Sequence, residues 1–272
     1  MVINADAFRD FERRAHDRVA RTYGDFFEPV TARAIPTLLD AAGVMAGSRV
    51  LDVASGPGAV AAAAAARGAG VIGVDLSPQM VAVARARHPS LDFREADAER
   101  LPFPEGAFDA VVCNFGLGHF GRPERVAAEF LRVLAPGGRV ALSWWDAPSR
   151  ARVNGLFFDA VGEAAAPPPA AVPEGPPPFR FAEDSELRAL LTIAGFNQPA
   201  VRTLGWVHRI NTVDEWWEGG LNSLARAAAS VVHQPPAVQA RIRAAFDRLA
   251  AAYGGESGFT VPAAAKIASG RR

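Results

Sequence analysis

Arg49-Val50-Leu51-Asp52-Val53-Ala54-Ser55-Gly56-Pro57-Gly58, with the nearly pure alanine run Ala59 to Arg67 behind it, decides the fold of this chain. Val50, Leu51 and Val53 form a short apolar run bounded by turn residues, the pattern of a buried strand. Gly56, Pro57 and Gly58 break it sharply. Alanine is the best helix former, so the segment reads strand, glycine loop, helix. Glycine lets a ligand approach the backbone, and a helix start offers free N–H groups and a positive dipole end. Local chemistry therefore predicts a nucleotide-like ligand above the loop.

The rest of the chain bounds the class. With 272 residues, half of them hydrophobic, it can build one sizeable α/β domain with appendages. No apolar stretch is long enough to span a membrane, because Arg67 and glycines interrupt the alanine run. Met1 to Arg14 carries mixed charges and does not read as a signal peptide. The single cysteine, Cys113, excludes internal disulfides and fits a cytoplasmic location. Basic and acidic residues balance at 29 each, so no field attracts nucleic acid.

A second buried strand, Gly70-Val71-Ile72-Gly73-Val74-Asp75, ends in an acid. Asp75 lies about 20 residues past the loop, where a strand-end carboxylate accepts hydrogen bonds from both ribose hydroxyls. Ser77 and Pro78 open a helix as N-cap and first helical residue. Leu76 and Met80 are placed to touch an adenine, with core packing the other reading for Met80. Leu91 to Glu99 alternates like a strand near a sheet edge, Ala107 to Asn114 is a continuous central strand holding Cys113, and Arg139 to Trp145 is a fifth strand. Asn114, Phe115 and His119 fall at the C-terminal end of the fourth strand, where open parallel sheets bind ligands.

The exact letters resemble a known family. Val50 to Gly58 is similar to the first motif of class I S-adenosylmethionine-dependent methyltransferases, with Asp52 as the strand acid, Ala54 replacing the first glycine, and Gly56 and Gly58 keeping the other two. The passage from Phe108-Asp109 through Arg132-Val133-Leu134-Ala135-Pro136-Gly137-Gly138 resembles the quinone-biosynthesis branch (UbiE/MenG-like, methyltransferase 11 type). The resemblance covers roughly Val50 to Trp145. It implies a doubly wound, mostly parallel seven-stranded sheet with a helical lid, and S-adenosyl-L-methionine as cofactor. It also implies that Asp97 binds the adenine amino group; the plainer reading is a turn cap. Ser55 and Ala98 complete the expected cofactor set.

Outside that core, residues 1–45 read as a helical lid and 149–272 as substrate-lid helices and closing strands of the same domain. Asp6 to Arg21 has helical apolar spacing, and Tyr23 and Phe27 beyond it are expected to face ligand. Thr31 to Ala42 reads as a helix interrupted by Pro36, and Ala164 to Pro178 as a loop. Asp184 is expected to cap a helix running to Ala194. Ala200 to Ile210 reads as an outer strand, Val213 to Val232 and Pro236 to Tyr253 as helices, and Phe259 to Ala268 as a strand at or near the sheet edge.

Methyl transfer needs in-line geometry, a nearby nucleophile and, for a weak nucleophile, a base. His119 is the candidate base, able at neutral pH to deprotonate a phenol, hydroxyl or amine, and it also faces substrate. His16, His88, His208 and His233 show no partner that suggests chemistry. Phe26, Phe27, Trp144, Trp145, Trp216 and Trp217 are candidates for an oily substrate chamber, some of them core. No metal is expected, since no Cys/His cluster is visible and Asn114 stands where a magnesium site beside Asp146 would need an acid. The acceptor is thus a small, largely apolar molecule, a natural product or quinone-like compound, with a homodimer left open. The rivals are an NAD(P)-dependent oxidoreductase, against which G-x-G-x-x-G is absent, and a non-catalytic cofactor-binding module.

Overall fold

The computed structural model describes residues 4–272; Met1, Val2 and Ile3, at the start of the stretch read as lacking a signal peptide, lie outside the described residues. The chain begins with α1 (Ala5–Val19), α2 (Tyr23–Thr31) and α3 (Ile35–Ala41). An alternating core follows: β1 (Arg49–Val53), α4 (Ala59–Ala66), β2 (Gly70–Asp75), α5 (Pro78–Arg87), β3 (Asp92–Glu95), β4 (Phe108–Cys113), α6 (Pro123–Val133) and β5 (Leu134–Trp145). Then come α7 (Arg152–Glu163), α8 (Asp184–Ala194), β6 (Asn197–Ile210), α9 (Val213–Leu221), α10 (Ala225–Val232), α11 (Pro236–Ala250), the two-residue β7 (Gly254–Gly255) and β8 (Gly258–Arg271).

The sheet order is β3-β2-β1-β4-β5-β8-β6, with β7 attached to β8. Strands β1 to β5 pair in parallel, and β8 runs antiparallel to both β5 and β6. This is the doubly wound architecture expected. Its order reverses between β1 and β4, and the loops at their C-terminal ends diverge into a crevice, the usual ligand position in such sheets.

Several boundaries differ from the sequence reading. Pro36 does not interrupt a helix: α2 ends at Thr31, a short 3₁₀ turn spans Ala32–Ala34, and Pro36 lies in the first turn of α3, where its missing N–H is harmless. Only Asp92–Glu95 of the third strand pairs, on the edge next to β2. Asp184 does not cap α8; it is the first helical residue and pairs with Lys266 at 2.8 Å. The segment 213–232 is two helices, broken at Asn222–Leu224. The last strand, β8, lies next to the edge strand β6, near the sheet edge as expected. Pro262 is tolerated there because β5 pairs with β8 only from Ala265 onward. Pro262 stands opposite Val207 of β6 on one side only, so its missing N–H takes no bond from the β5 side.

Two helical elements distant in sequence close over the crevice. Phe8, Phe11 and Ala15 of α1 form one apolar cluster with Ala225 and Ala229 of α10. The other face of α1 reaches α5, where Val19 and Ala20 pack on Met80. Polar contacts pin the same helix to the core: Ser77 donates to Asp17 at 2.6 Å, Arg9 to Asp97 at 3.3 Å, and Arg122 to Asp6 at 2.9 Å. Phe26, Trp216 and Trp217 are buried in the core rather than in the cleft wall. Trp216 donates to the Val153 carbonyl at 2.9 Å, and both tryptophans pack on Phe246.

Candidate active site

The cleft begins at the glycine loop. Ala54 leaves β1 with φ 56°, a left-handed conformation that a glycine adopts without strain. Gly56 follows with φ +51°, and a Cβ built on it would meet nothing within 4 Å, because the space above it is the cleft. The Gly56 N–H donates to Asp75 Oδ2 at 2.8 Å, and Ser77 N–H to Asp75 Oδ1 at 2.9 Å. The strand-end acid and the loop are thus one hydrogen-bonded unit. Burial pushes the Asp75 carboxyl up, opposed by these N–H donors and by His16. Each carboxylate oxygen accepts one protein N–H and keeps a second lone pair for a ligand hydroxyl.

Around this unit the structure gathers most of the residues expected from sequence. Tyr23, Phe27, Ala54, Ser55, Gly56 and Asp75 line the cleft, as do Leu76, Met80, Asp97 and Ala98. Asn114, Phe115, His119, Trp144 and Trp145 line its other side. Met80 meets both of its readings, since it borders the cleft and packs on α1. Asp97 likewise caps a turn, accepting from Glu99 N–H at 2.8 Å, while facing the cleft and Arg9. Asn114 Oδ1 accepts from the Ser143 hydroxyl at 2.7 Å, which itself accepts from Phe115 N–H at 2.8 Å. That chain holds Phe115 in its own left-handed conformation, φ 55°. Burial pushes the Tyr23 phenol up to about 12, so it remains a neutral donor at neutral pH.

Two expected cofactor residues do not reach the cleft lining. Gly58 is a packing glycine: with φ +95°, a Cβ on it would lie 2.7 Å from the Phe93 ring. It lets α4 sit close to the sheet. Asp52 is fully buried inside the domain, because β1 is covered on both faces and every side chain after Arg49 points into packed interior. Neither of its oxygens has a hydrogen-bond partner among the described residues. Burial therefore raises its carboxyl well above the ordinary 3.8. The sign follows directly. Above pH 3.8 the unfolded chain releases this proton while the folded chain keeps it, so stability falls as pH rises toward the folded value. Thermal melts at rising pH should show that loss in the wild type, and Asp52→Asn should flatten it; an identical slope in the variant would refute the assignment.

The second half of the cleft was largely illegible in the sequence. Glu12, on α1, is 2 % exposed and lies at the cleft wall. Its Oε2 is 2.9 Å from His119 Nδ1. His16, one turn along α1, places its own Nδ1 2.8 Å from the Glu12 carbonyl oxygen and packs edge-on against the His119 ring at 4.6 Å. His16 thus has partners after all, and a Glu/His/His cluster exists: ligand atoms of Glu12, His16 and His119 lie within 4.8 Å of one another. Burial alone would raise the Glu12 carboxyl, but His119 and His16 outweigh it and hold the group below its ordinary value. Burial, and secondarily the neighbouring His119, push His16 down, so it stays neutral. Cys113, fully buried in β4 with its thiol pushed up by burial, offers no nucleophile.

An aromatic wall flanks this cluster. Phe115 and Trp145 rings lie 4.1 Å apart, Phe27 meets Trp145 at 5.5 Å, and Trp144 meets His119 at 5.3 Å. Among these apolar faces are buried polar atoms with no protein partner: Ser55 Oγ and Glu12 Oε1, Glu99 Oε1, and, from the lid, Asn154 Oδ1 and Ser223 Oγ. Orphaned buried polar atoms are rare in folded proteins, and these five, among the described residues, line one cleft, as a ligand-binding wall requires. Ser55 and Gly56 beside the Asp75 carboxylate fit a nucleoside bearing an amino-acid tail. Asn154 and Ser223 carry no motif, and no local signal in the sequence marks them.

This arrangement defines a small-molecule transferase site built on a nucleoside-binding sheet. A methyltransferase-domain family pattern matches residues 51–142. A demethylmenaquinone methyltransferase of Beutenbergia cavernae is 35% identical over 201 residues, covering 69% of this chain and 83% of that protein. A second, from Renibacterium salmoninarum, is 40% identical over 112 residues, 41% of this chain and 47% of its own length. The fold is shared with phosphoethanolamine N-methyltransferase 2 of Haemonchus contortus, solved with S-adenosylhomocysteine (TM-score 0.59, 18% identity, 97% of this chain and 60% of that one). The chain belongs to the class I S-adenosylmethionine-dependent methyltransferases, in the branch of the demethylmenaquinone enzymes. Its cofactor is S-adenosylmethionine, which sets aside the nicotinamide reading, and its membership of a methyltransferase family sets aside the non-catalytic S-adenosylmethionine-binding module. No helix among the described residues is long and apolar enough to cross a membrane.

Proposed function

We propose that the protein methylates a small, largely apolar aromatic molecule carrying a hydroxyl group, of the quinol or phenolic natural-product type. The observation that carries this reading is the position of His119, set at the C-terminal end of β4 between Trp144 and the Glu12 carboxylate, on the wall shared by the cofactor end and the aromatic end of the cleft. Asp75, Ser55 and Gly56 would hold the ribose and amino-acid parts of the cofactor, and Asp97 with Leu76, Met80 and Ala98 its adenine. The bound sulfonium supplies an electrophilic methyl carbon; the chain supplies alignment, a water-poor aromatic chamber and a base. Phe27, Trp144 and Trp145 would sandwich a flat ring, while Asn154 and Ser223 offer it a few polar anchors. The resemblance to demethylmenaquinone methyltransferases makes a demethylmenaquinol the first acceptor to assay.

The test has two arms. Titration calorimetry should show binding of S-adenosylmethionine and none of NADH. Transfer of labelled methyl to demethylmenaquinol and a panel of phenols, against matched O-methylated and non-hydroxylated rings, should appear only where a free hydroxyl is present. Equal transfer to the hydroxyl-free rings would overturn the proposed acceptor class.

A further inference from the structure

We propose that Glu12 is a positioning residue that locks His119 in the tautomer with its proton on Nδ1, turning the Nε2 lone pair into the acceptor of a substrate hydroxyl proton. This rests on the function proposed above and adds a component to it, supplied by the N-terminal helix across 107 residues of sequence.

The argument starts from burial. A carboxylate that is 2 % exposed and accepts from no backbone N–H is costly to keep. Nothing in the packing of α1 calls for it: Phe8, Phe11 and Ala15 already supply that helix with its apolar seam against α10. The seam sets the height of Glu12 over the cleft, and its Oε2 lies 2.9 Å from His119 Nδ1. An ionised carboxylate only accepts, so the hydrogen in this bond is on Nδ1, and in the neutral ring the opposite nitrogen is bare. The ring is also clamped on its faces, edge-on by His16 at 4.6 Å and by Trp144 at 5.3 Å. A carboxylate holding an imidazole whose far nitrogen faces a reaction chamber is the general arrangement of an oriented base.

The same three groups could instead surround a cation. Geometry favours the hydrogen-bonded reading. Glu12 Oε2 and His119 Nδ1 meet directly at 2.9 Å, and His16 Nδ1 sits 2.8 Å from the Glu12 carbonyl oxygen, which only accepts, so a cation would have only the far nitrogen of His16, and metal analysis of the purified protein separates the two cases.

In the step this serves, the acceptor O–H proton passes to His119 Nε2 and the freed electron pair forms the new bond to the methyl carbon, at the oxygen itself or, in a quinol, through the ring at its unsubstituted carbon, which then releases its hydrogen as a proton. The sulfur–methyl bond breaks with its electrons going to sulfur, leaving S-adenosylhomocysteine. The imidazolium, steadied by the Glu12 carboxylate, then returns its proton to solvent.

Long-range 15N–1H spectra of the histidine rings in the full chain test this without any acceptor, with His119→Ala and His16→Ala supplying the assignments. The wild type is expected to show His119 with Nδ1 protonated and Nε2 bare. Glu12→Ala should move the ring toward the Nε2–H form, whereas Glu12→Gln, whose amide oxygen still accepts, should retain Nδ1–H. With an acceptor in hand, Glu12→Ala should lower kcat by about 10²-fold or more while leaving the Kd for S-adenosylmethionine unchanged. A wild-type His119 found as the Nε2–H form overturns the proposal even if the variants fail to fold. So does stoichiometric divalent metal on Nδ1 in the purified protein. Failure of the wild type to bind S-adenosylmethionine would sink the function proposed above, and the ring spectrum would still report on Glu12 separately.

Discussion

Asp75→Ala is expected to weaken S-adenosylmethionine binding by about 10²-fold, measured by titration calorimetry. Two charge-assisted hydrogen bonds to a ribose diol, at roughly 1.5–3 kcal/mol net each, put that figure at the lower end of the expected loss. The Asp75 carboxylate also accepts from the N–H groups of Gly56 and Ser77, so its removal slackens the loop that must bend away from the ligand. Asp75→Asn separates the two contributions. Its amide can accept from one of those N–H groups but meets the other with a donor, so it should recover only part of the loss. Full affinity in Asp75→Ala would show that the ribose is held elsewhere, and the reading of the cleft around Gly56 would have to be abandoned.

The second large effect concerns turnover. Removing a positioned general base lowers kcat by typically 10²–10⁴-fold, and His119→Ala is expected within about that range on a hydroxylated acceptor. Affinity for S-adenosylmethionine should hardly move, because the imidazole bonds to Glu12 rather than to the Asp75 end of the cleft. The variant leaves Glu12 buried with neither oxygen bonded, so some loss of thermal stability should accompany the kinetic loss. An acceptor already ionised in solution would escape most of the penalty. That dependence on acceptor acidity is the distinguishing readout: a flat loss across acceptors of different acidity would mean that His119 shapes the chamber and moves no proton.

The core was legible because its signals are local. A buried strand followed by Gly56-Pro57-Gly58 and an alanine run can hardly fold otherwise, and Asp75 sits at a strand end about 20 residues on, where the parallel register places it beside the loop. Misreadings arose where one letter pattern served two environments. Asp52 stands in the motif as the strand acid, yet β1 is central and covered on both faces, so its carboxyl is interior. Gly58 looks like a ligand glycine and acts as a packing one, because the Phe93 ring fills the space its side chain would need. Pro36 reads as a kink only if the helix is taken to begin at Thr31; α3 begins at Ile35, which puts Pro36 in its first turn.

By itself, the sequence determined the succession of strands along the core and their mostly parallel, doubly wound class, the bent loop after β1, the acid beside it and the family to which the chain belongs. Each of these is written within a few tens of residues, where strand periodicity and glycine placement leave little choice of conformation. Only the tertiary structure decided that Glu12 and His16 of α1 meet His119 beyond β4, and that Asn154 and Ser223 face the same space. Those meetings depend on how α1 packs across α10 and α5, through apolar contacts spread over more than 200 residues of chain. Side chains brought together by long-range burial have no spacing in the sequence to announce them.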